Sequence, residues 1–337
     1  MNDDALDPYV WDRSGPPDPY VRHLETLLER YRFDTPIEIG PTARRVRWVW
    51  YTAAFSAAAM IVFAAYVALI PIVGQPGREW RVVARAGVPR ISGVAMNGVG
   101  SLSAGGVVQT DEHSTAEIQA GSVGRIEVQP GSRVRLLSTT AGQHRLAVDR
   151  GRIAARLWSP PFTFGFSTPA ADAFDVGCAF TMDVDERGAA IVRVTSGWVE
   201  LESTNGQQLI PQGTLAIAEP NRGVGTAHYD EATVAFKRAL HAFDFDQLSP
   251  SDRLVTLDTL FADARPADVY SLLQLAQRLT PTERGALYDR VTRLRPPPRD
   301  VTRSRVITGD SATLDAWRHS LGFPEVKHWW LHWRDAF

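Results

Sequence analysis

Polar and apolar positions follow three different rhythms along this chain of 337 residues, and each rhythm predicts a different kind of structure. Residues 1–47 are polar and interrupted by Gly15, Pro16, Pro17 and Pro19 before one helical pattern begins. With Asp18 at the cap position, Val21, Leu24, Leu27, Leu28 and Tyr31 fall on one face, and Arg22, Glu25, Glu29, Arg30 and Arg32 on the other. A lone helix of this length is marginal in water. It either packs on Tyr9, Trp11 and Phe33, or is covered by a partner, or belongs to a loosely ordered tail.

The second rhythm is the absence of one. Residues 48–77 carry no formal charge, and 48–73 are nearly all aliphatic or aromatic. About 26 helical residues reach roughly 39 Å, more than the ~30 Å hydrocarbon layer, so a membrane span is predicted over 48–75. Trp48, Trp50 and Tyr51 stand beside Arg44, Arg45 and Arg47, as interfacial rings and phosphate-facing cations do. A buried core helix of this length would carry a polar face. A signal peptide would not follow 47 polar residues. Arg78, Arg81, Arg85 and Arg90 follow the apolar run almost as densely as arginines precede it, but the amino-side cluster is closer. The predicted orientation is amino terminus inside.

From residue 80 to 229 the period is two, in short runs such as Arg125-Ile126-Glu127-Val128, Arg133-Val134-Arg135-Leu136 and Ile191-Val192-Arg193-Val194. Turns are predicted at Gln129-Pro130-Gly131, Asp149-Arg150-Gly151, Glu186-Arg187-Gly188, Ser196-Gly197 and Asn205-Gly206. The pattern fits an all-β sandwich, a jelly roll or a β-solenoid-like domain. Residues 230–337 return to the helical period. Ser249-Pro250-Ser251-Asp252 and Thr280-Pro281-Thr282-Glu283 each read as a hydroxyl cap, a first-turn proline and an acid at the positive end of the dipole. Pro266 opens a further helix, and Asp310 caps another that closes at Gly322. These pieces fit a helical-hairpin repeat or a small bundle.

Composition narrows the chemistry. Thirty-six basic and 38 acidic side chains leave a net charge of −2, which provides no general field to gather nucleic acid. A single cysteine, Cys178, excludes an intrachain disulfide and a thiolate metal site. His113, His144, His228 and His241 are scattered, without helical ligand spacing. Asn97-Gly98-Val99-Gly100-Ser101 lacks the lysine and helix of a phosphate loop and reads as a turn. Asp183, Asp185 and Glu186 read as a charged hairpin rather than a calcium loop. No set of residues resembles a catalytic centre, so neither an enzyme nor a cofactor or metal is expected. The segment holding Trp329, Trp330 and Trp333 is the densest aromatic patch after the apolar run, suited to a lipid interface, a partner, or docking on its own domain.

Several stretches of the β region together resemble the FecR-type domain. They are Arg145-Leu146-Ala147-Val148-Asp149-Arg150-Gly151, then the run from 164 that ends at Pro169, then Val176-Gly177-Cys178-Ala179-Phe180, and Val194-Thr195-Ser196-Gly197-Trp198-Val199. The likeness covers residues 105–215. Gly151, Pro169, Gly177, Phe180 and Gly197 occupy the family's structural positions, and Cys178 stands where the family usually has threonine. The resemblance implies a single-pass protein of the bacterial inner membrane with an extracytoplasmic β domain. It also implies a cytoplasmic tail that restrains or activates an alternative sigma factor, as anti-sigma regulators do. In this chain the tail is short, and Trp11, Leu24, Leu27, Leu28 and Tyr31 are its candidate grip on a sigma factor or other cytoplasmic protein. The alternative is an envelope scaffold whose β or helical region binds another envelope protein, with the tail merely flanking the span. The lipid bilayer is a partner under both readings, and nucleic acid is not a direct partner under either.

Overall fold

The computed structural model describes residues 19–29, 79–121, 123–140 and 142–323. The apolar run 48–75 lies outside them, and among the described residues no helix is long and apolar enough to cross a membrane. The chain divides into two units, residues 1–69 and 70–337. In the first, the described element is helix α1 (Pro19–Leu28), and the end of the amphipathic pattern at Tyr31 lies outside the described residues.

The second unit is a large mixed sheet followed by helices. Its strands are β1 (Trp80–Ala86), β2 (Arg90–Ile91), β3 (Val94–Ala95), β4 (Val99–Leu102), β5 (Val107–Gln109), β6 (Thr115–Gln119), β7 (Gly124–Val128) and β8 (Arg133–Thr140). Three long strands and their neighbours follow: β9 (Gln143–Leu157), β10 (Phe164–Ser167), β11 (Asp172–Val184), β12 (Ala190–Ser203), β13 (Gly206–Pro211), β14 (Thr214–Glu219), β15 (Gly223–Val224) and β16 (His228–Tyr229). Alternation sets the inside from the outside: in β7, Ile126 and Val128 are buried while Arg125 and Glu127 face solvent.

The sheet is folded over itself. One layer runs β4, β1, β6, β7, the second half of β9, the second half of β11, the first half of β12 and β14. The other runs β3, β2, β5, β8, the first half of β9, β10, the first half of β11, the second half of β12 and β13. Among the described residues β9 with β10 is the parallel pair. The inner faces meet through rings: Phe166 of β10 lies edge-on to Phe180 of β11 at 5.2 Å, and Trp80 of β1 contacts His144 of β9 at 5.4 Å and Phe164 at 5.9 Å. The arrangement is a two-layered sandwich in which β9, β11 and β12 belong to both layers.

Here the structure corrects two of the predicted turns. Gly151 and Gly197 do not reverse the chain; each sits inside a single long strand, as Gly177 does in β11. All three have positive φ (+88° at Gly151, +78° at Gly177 and +70° at Gly197), and each lies beside a register shift where the strand bends from one layer into the other. A glycine in sequence signals an unusual backbone angle, and a corner and a turn require the same angle. The corners are also crowded: a Cβ on Gly197 would overlap the carbonyl oxygen of Gly177, and one on Gly151 would overlap Ser132.

The helices are α2 (Val234–Phe245), α3 (Pro250–Asp263), α4 (Val269–Leu275) after a 3₁₀ turn at Pro266–Asp268, α5 (Pro281–Leu294), α6 (Arg303–Thr308) and α7 (Ser311–His319). Ser249 Oγ accepts from the Asp252 N–H at 3.1 Å, and Thr280 and Glu283 form a reciprocal capping box. At α7, Asp310 stands in the cap position with its carboxylate held by Arg305 and the Thr313 hydroxyl. The helices bury a core of their own around Phe236, Leu260, Leu272, Leu287 and Trp317. Helix α4 is buried along its whole length between that core and the sheet. Its polar residues are matched to the backbone of β13 and of the segment just before β16. Gln274 accepts from the Ala227 N–H at 2.9 Å and donates to the Leu209 carbonyl at 2.8 Å. Tyr270 donates to the same Leu209 carbonyl at 2.8 Å, and Ser271 to that of Ala227 at 2.7 Å.

Two substitutions test this account by chemical denaturation. Gly197→Ala is expected to cost more than about 3 kcal/mol or to prevent folding, whereas Gly98→Ala, at an equally positive φ but with open space around it, is expected to cost about 1 kcal/mol. Equal losses would mean that the corner crowding does not matter. Gln274→Leu, which orphans the Ala227 N–H, is expected to cost about 1–3 kcal/mol. A neutral result would show that α4 is not held to the sheet by these bonds.

Candidate functional site

The corner of β11 carries the most unusual chemistry among the described residues. Between Asp175 and Cys178 the strand shifts register against β12, and the bend turns both side chains into the interior. Asp175 and Cys178 are fully buried. The thiol of Cys178 donates to Asp175 Oδ1 at 2.6 Å, and the Ser159 hydroxyl approaches Oδ2 at 3.4 Å. Burial pushes the Asp175 carboxyl up to about 7, against the opposing effect of hydrogen bonds from Cys178, Gly177 and Ser159. Burial and the neighbouring Asp175 carboxyl also push the Cys178 thiol up. A thiol so placed stays protonated and is not a nucleophile. The site therefore ties chain to chain: the Phe162 N–H donates to the Asp175 carbonyl at 2.7 Å, so Asp175 holds residues 158–163 through both its side chain and its backbone.

Of the other residues that carry the resemblance, Gly177 and Gly197 stand at this corner, and Gly151 and Pro169 lie toward the β11–β12 turn. Phe180 is packed against Phe166. Pro169 lies in a turn organised by Thr168, whose hydroxyl accepts from the N–H groups of Ala170 and Ala171 and donates to the Ala171 carbonyl. A Cβ on Gly188 would meet the Pro169 ring at 2.7 Å, so the β10–β11 and β11–β12 turns touch. Gly151, Pro169, Gly177, Cys178, Phe180 and Gly197 thus act on backbone course and packing.

Asp183 lies between Arg152 and Arg193, the latter at 3.0 Å, and the Asp185 carboxylate accepts from the backbone N–H groups of Arg187 and Ala189, closing a charged hairpin. Among the described residues no three histidine, cysteine or acidic groups are placed to hold a metal ion. His144 is buried against Trp80 and Phe164, and His228 is buried beside the Thr226 carbonyl; burial holds both below the usual histidine range. A cleft of about 390 Å³ between α2 and β14 is floored by Leu215 and Ile217, and several of the polar side chains that line it are already engaged. Arg193 faces Asp183 and Asp230, Lys237 donates to the Asp230 carbonyl at 2.7 Å, and His241 meets Glu219 at 3.1 Å.

On α1, Leu24, Leu27 and Leu28 are 40%, 54% and 60% exposed, an apolar row open to a partner. Trp11 and Tyr31 lie outside the described residues, as do Trp329, Trp330 and Trp333. Sequence reasoning missed Asp175, Ser159, Tyr270 and Gln274. Only Asp175 carried a signal, an acid inside an otherwise apolar run.

The buried carboxyl makes stability depend on pH. A folded-state value raised above the unfolded 3.8 means that the contribution of neutral Asp175 is complete below about pH 4 and is lost as pH rises through about 7. His144 and His228 act in the opposite sense, losing stability as pH falls through and below the ordinary value of 6.5, so Asp175 is isolated by comparing the protein with its Asp175→Asn variant, in which both histidines are kept. Relative to Asp175→Asn, the unfolding free energy of the protein is expected to fall on the order of 1 kcal/mol between about pH 6.5 and about pH 8. Parallel profiles for the two proteins would refute the assignment.

No protein-family model matches the chain, and no curated protein matches it. Among solved structures the chain is similar to two crystal structures, at 1.65 Å and 2.50 Å, of a "putative anti-sigma factor" from Parabacteroides distasonis ATCC 8503. Identity is 14% and 15%, over 46% of this chain and 74% and 73% of those chains, with a TM-score of 0.33 in each case. A superposition of that quality assigns neither a fold family nor a partner to this chain.

Proposed function

We propose that the chain is a single-pass, membrane-anchored signalling regulator of the FecR type, without enzymatic activity, its β domain outside the bacterial inner membrane and its amino-terminal segment controlling an alternative sigma factor. The observation that carries this reading is the uncharged run at 48–73 joining two parts of opposite character. Before it lies a short segment whose helix exposes three leucines; after it comes a sandwich in which the resemblance-bearing glycines form the corners of shared strands. A domain held together by buried corners is a rigid body, suited to passing a binding event to the segment that leaves it. The leucine row is the kind of helix face that lies in a partner's apolar groove.

The test is photo-crosslinking from Leu27 in the full-length protein in membranes, with the captured protein identified by mass spectrometry. Capture of an alternative sigma factor is expected, reduced on the order of 100-fold by Leu24→Asp with Leu28→Asp, as removal of two interface anchors should do. If the double variant captures equally, or if deleting residues 1–40 leaves every partner in place, the chain is an envelope scaffold instead.

A further inference from the structure

We infer that one end of the β sandwich is a docking surface for an anionic phospholipid bilayer, which fixes the orientation of the domain on the membrane that anchors it. This rests on the span proposed above for residues 48–73. Six residues, 74–79, separate that run from Trp80, the buried first residue of β1, and six extended residues reach at most roughly 21 Å. The end of the sandwich that holds Trp80 is therefore kept beside the lipid whatever else the domain does.

That end is chemically distinct. Arg81 on β1 is the cross-strand partner of Gln119, Gln119 of Arg125 on β7, and Arg125 of Arg156 on β9, which places three arginines in one row across four strands. All three are exposed, and Arg125 and Arg156 stand directly opposite each other. Of the acids on these strands, Glu117 and Glu127 lie one row further from Trp80, with Glu117 engaged by Arg85 and Gln119, while Glu79, next to Trp80, accepts from the Ser103 hydroxyl at 3.2 Å.

Aromatic residues accompany the cations. Trp158 lies under the Arg125 guanidinium, whose carbon is 5.9 Å from the ring centre. Four residues on, Phe162 is 54% exposed at φ +63°, a left-handed conformation that a bulky aromatic residue adopts only when its surroundings hold it there. The bond to the Asp175 carbonyl supplies that hold. Phe162 lies 6.4 Å from Phe174, which in turn carries the Arg145 guanidinium at 4.3 Å. Loop 158–163 belongs to the same end, because its Thr163 carbonyl accepts from the His144 N–H, and the His144 ring contacts Trp80. Arginines for phosphate and rings for the headgroup layer, on the face nearest the tether, match the chemistry of an anionic lipid surface.

The experiment uses the full-length chain reconstituted in vesicles of phosphatidylcholine, alone or with about 30% phosphatidylglycerol, a content that gives a strongly negative surface. Phe162→Cys carries a fluorophore, the buried Cys178 staying unlabelled, and Glu186→Cys in the charged hairpin serves as the comparison position. A headgroup-borne quencher is expected to quench the label at 162 in the anionic vesicles but not the one at 186. Arg81→Gln with Arg125→Gln is expected to lower the docked-to-undocked ratio about 25-fold, about fivefold for each arginine, and lysine at both positions to restore it. High salt should act like the glutamine pair. Equal quenching in both vesicle types, or no change in the glutamine pair, while the protein still floats with the vesicles, overturns the docking surface and leaves the span standing. Failure of the chain to float without detergent overturns the span, and the docking surface with it.

Discussion

The close approach of Gly177 to Gly197 is the constraint on which the rest of the molecule depends. Two neighbouring strands can bend at one place only if no side chain stands between them, and here the carbonyl of one glycine occupies the space where the Cβ of the other would be. Because β11 and β12 bend together, and β9 bends at Gly151, the register of one layer dictates the register of the other. A slip of one residue in either layer would turn every inward side chain outward. The aromatic contacts between layers, Phe166 with Phe180 and Trp80 with Phe164, are the result of that shared register.

The same bend explains why a carboxyl and a thiol are buried together. A bulge leaves residues without ladder partners and points them where the strand's alternation would not. Asp175 and Cys178 are drawn inside by the corner, and the polar demand is met locally, by each other, by Ser159 and by the strand's own N–H groups. Loop 158–163 is fastened to this point, so the path of an exposed segment is set by groups that never reach solvent.

Much of the architecture was legible in the chain. Period-two runs located the strands, and the Ser249 and Thr280 caps announced α3 and α5, because a cap is a purely local bargain between a hydroxyl and the next turn. Gly151 and Gly197 were recognisable as special backbone positions but were read as turns, since local angle does not say which strands lie on either side. The candidate site was far less legible. Asp175 stood in plain view inside an apolar run, yet its burial depends on the neighbouring strand β12, where it faces Val199. Tyr270 and Gln274 looked like ordinary helix residues; their partners, Leu209 and Ala227, are more than forty residues distant. Such pairings come from tertiary topology, which no local pattern carries.

The grip of α4 on Leu209 has a further consequence. Among the described residues β13 pairs with β12 alone, so its other side is a flank of the sheet without a strand partner there, the kind of edge on which a foreign strand can add. Tyr270 and Gln274 both occupy a carbonyl on that flank. The helical region thus fills part of the hydrogen-bonding capacity of that flank from within the same chain, and severing the sandwich after β16 would leave the Leu209 carbonyl without these two donors.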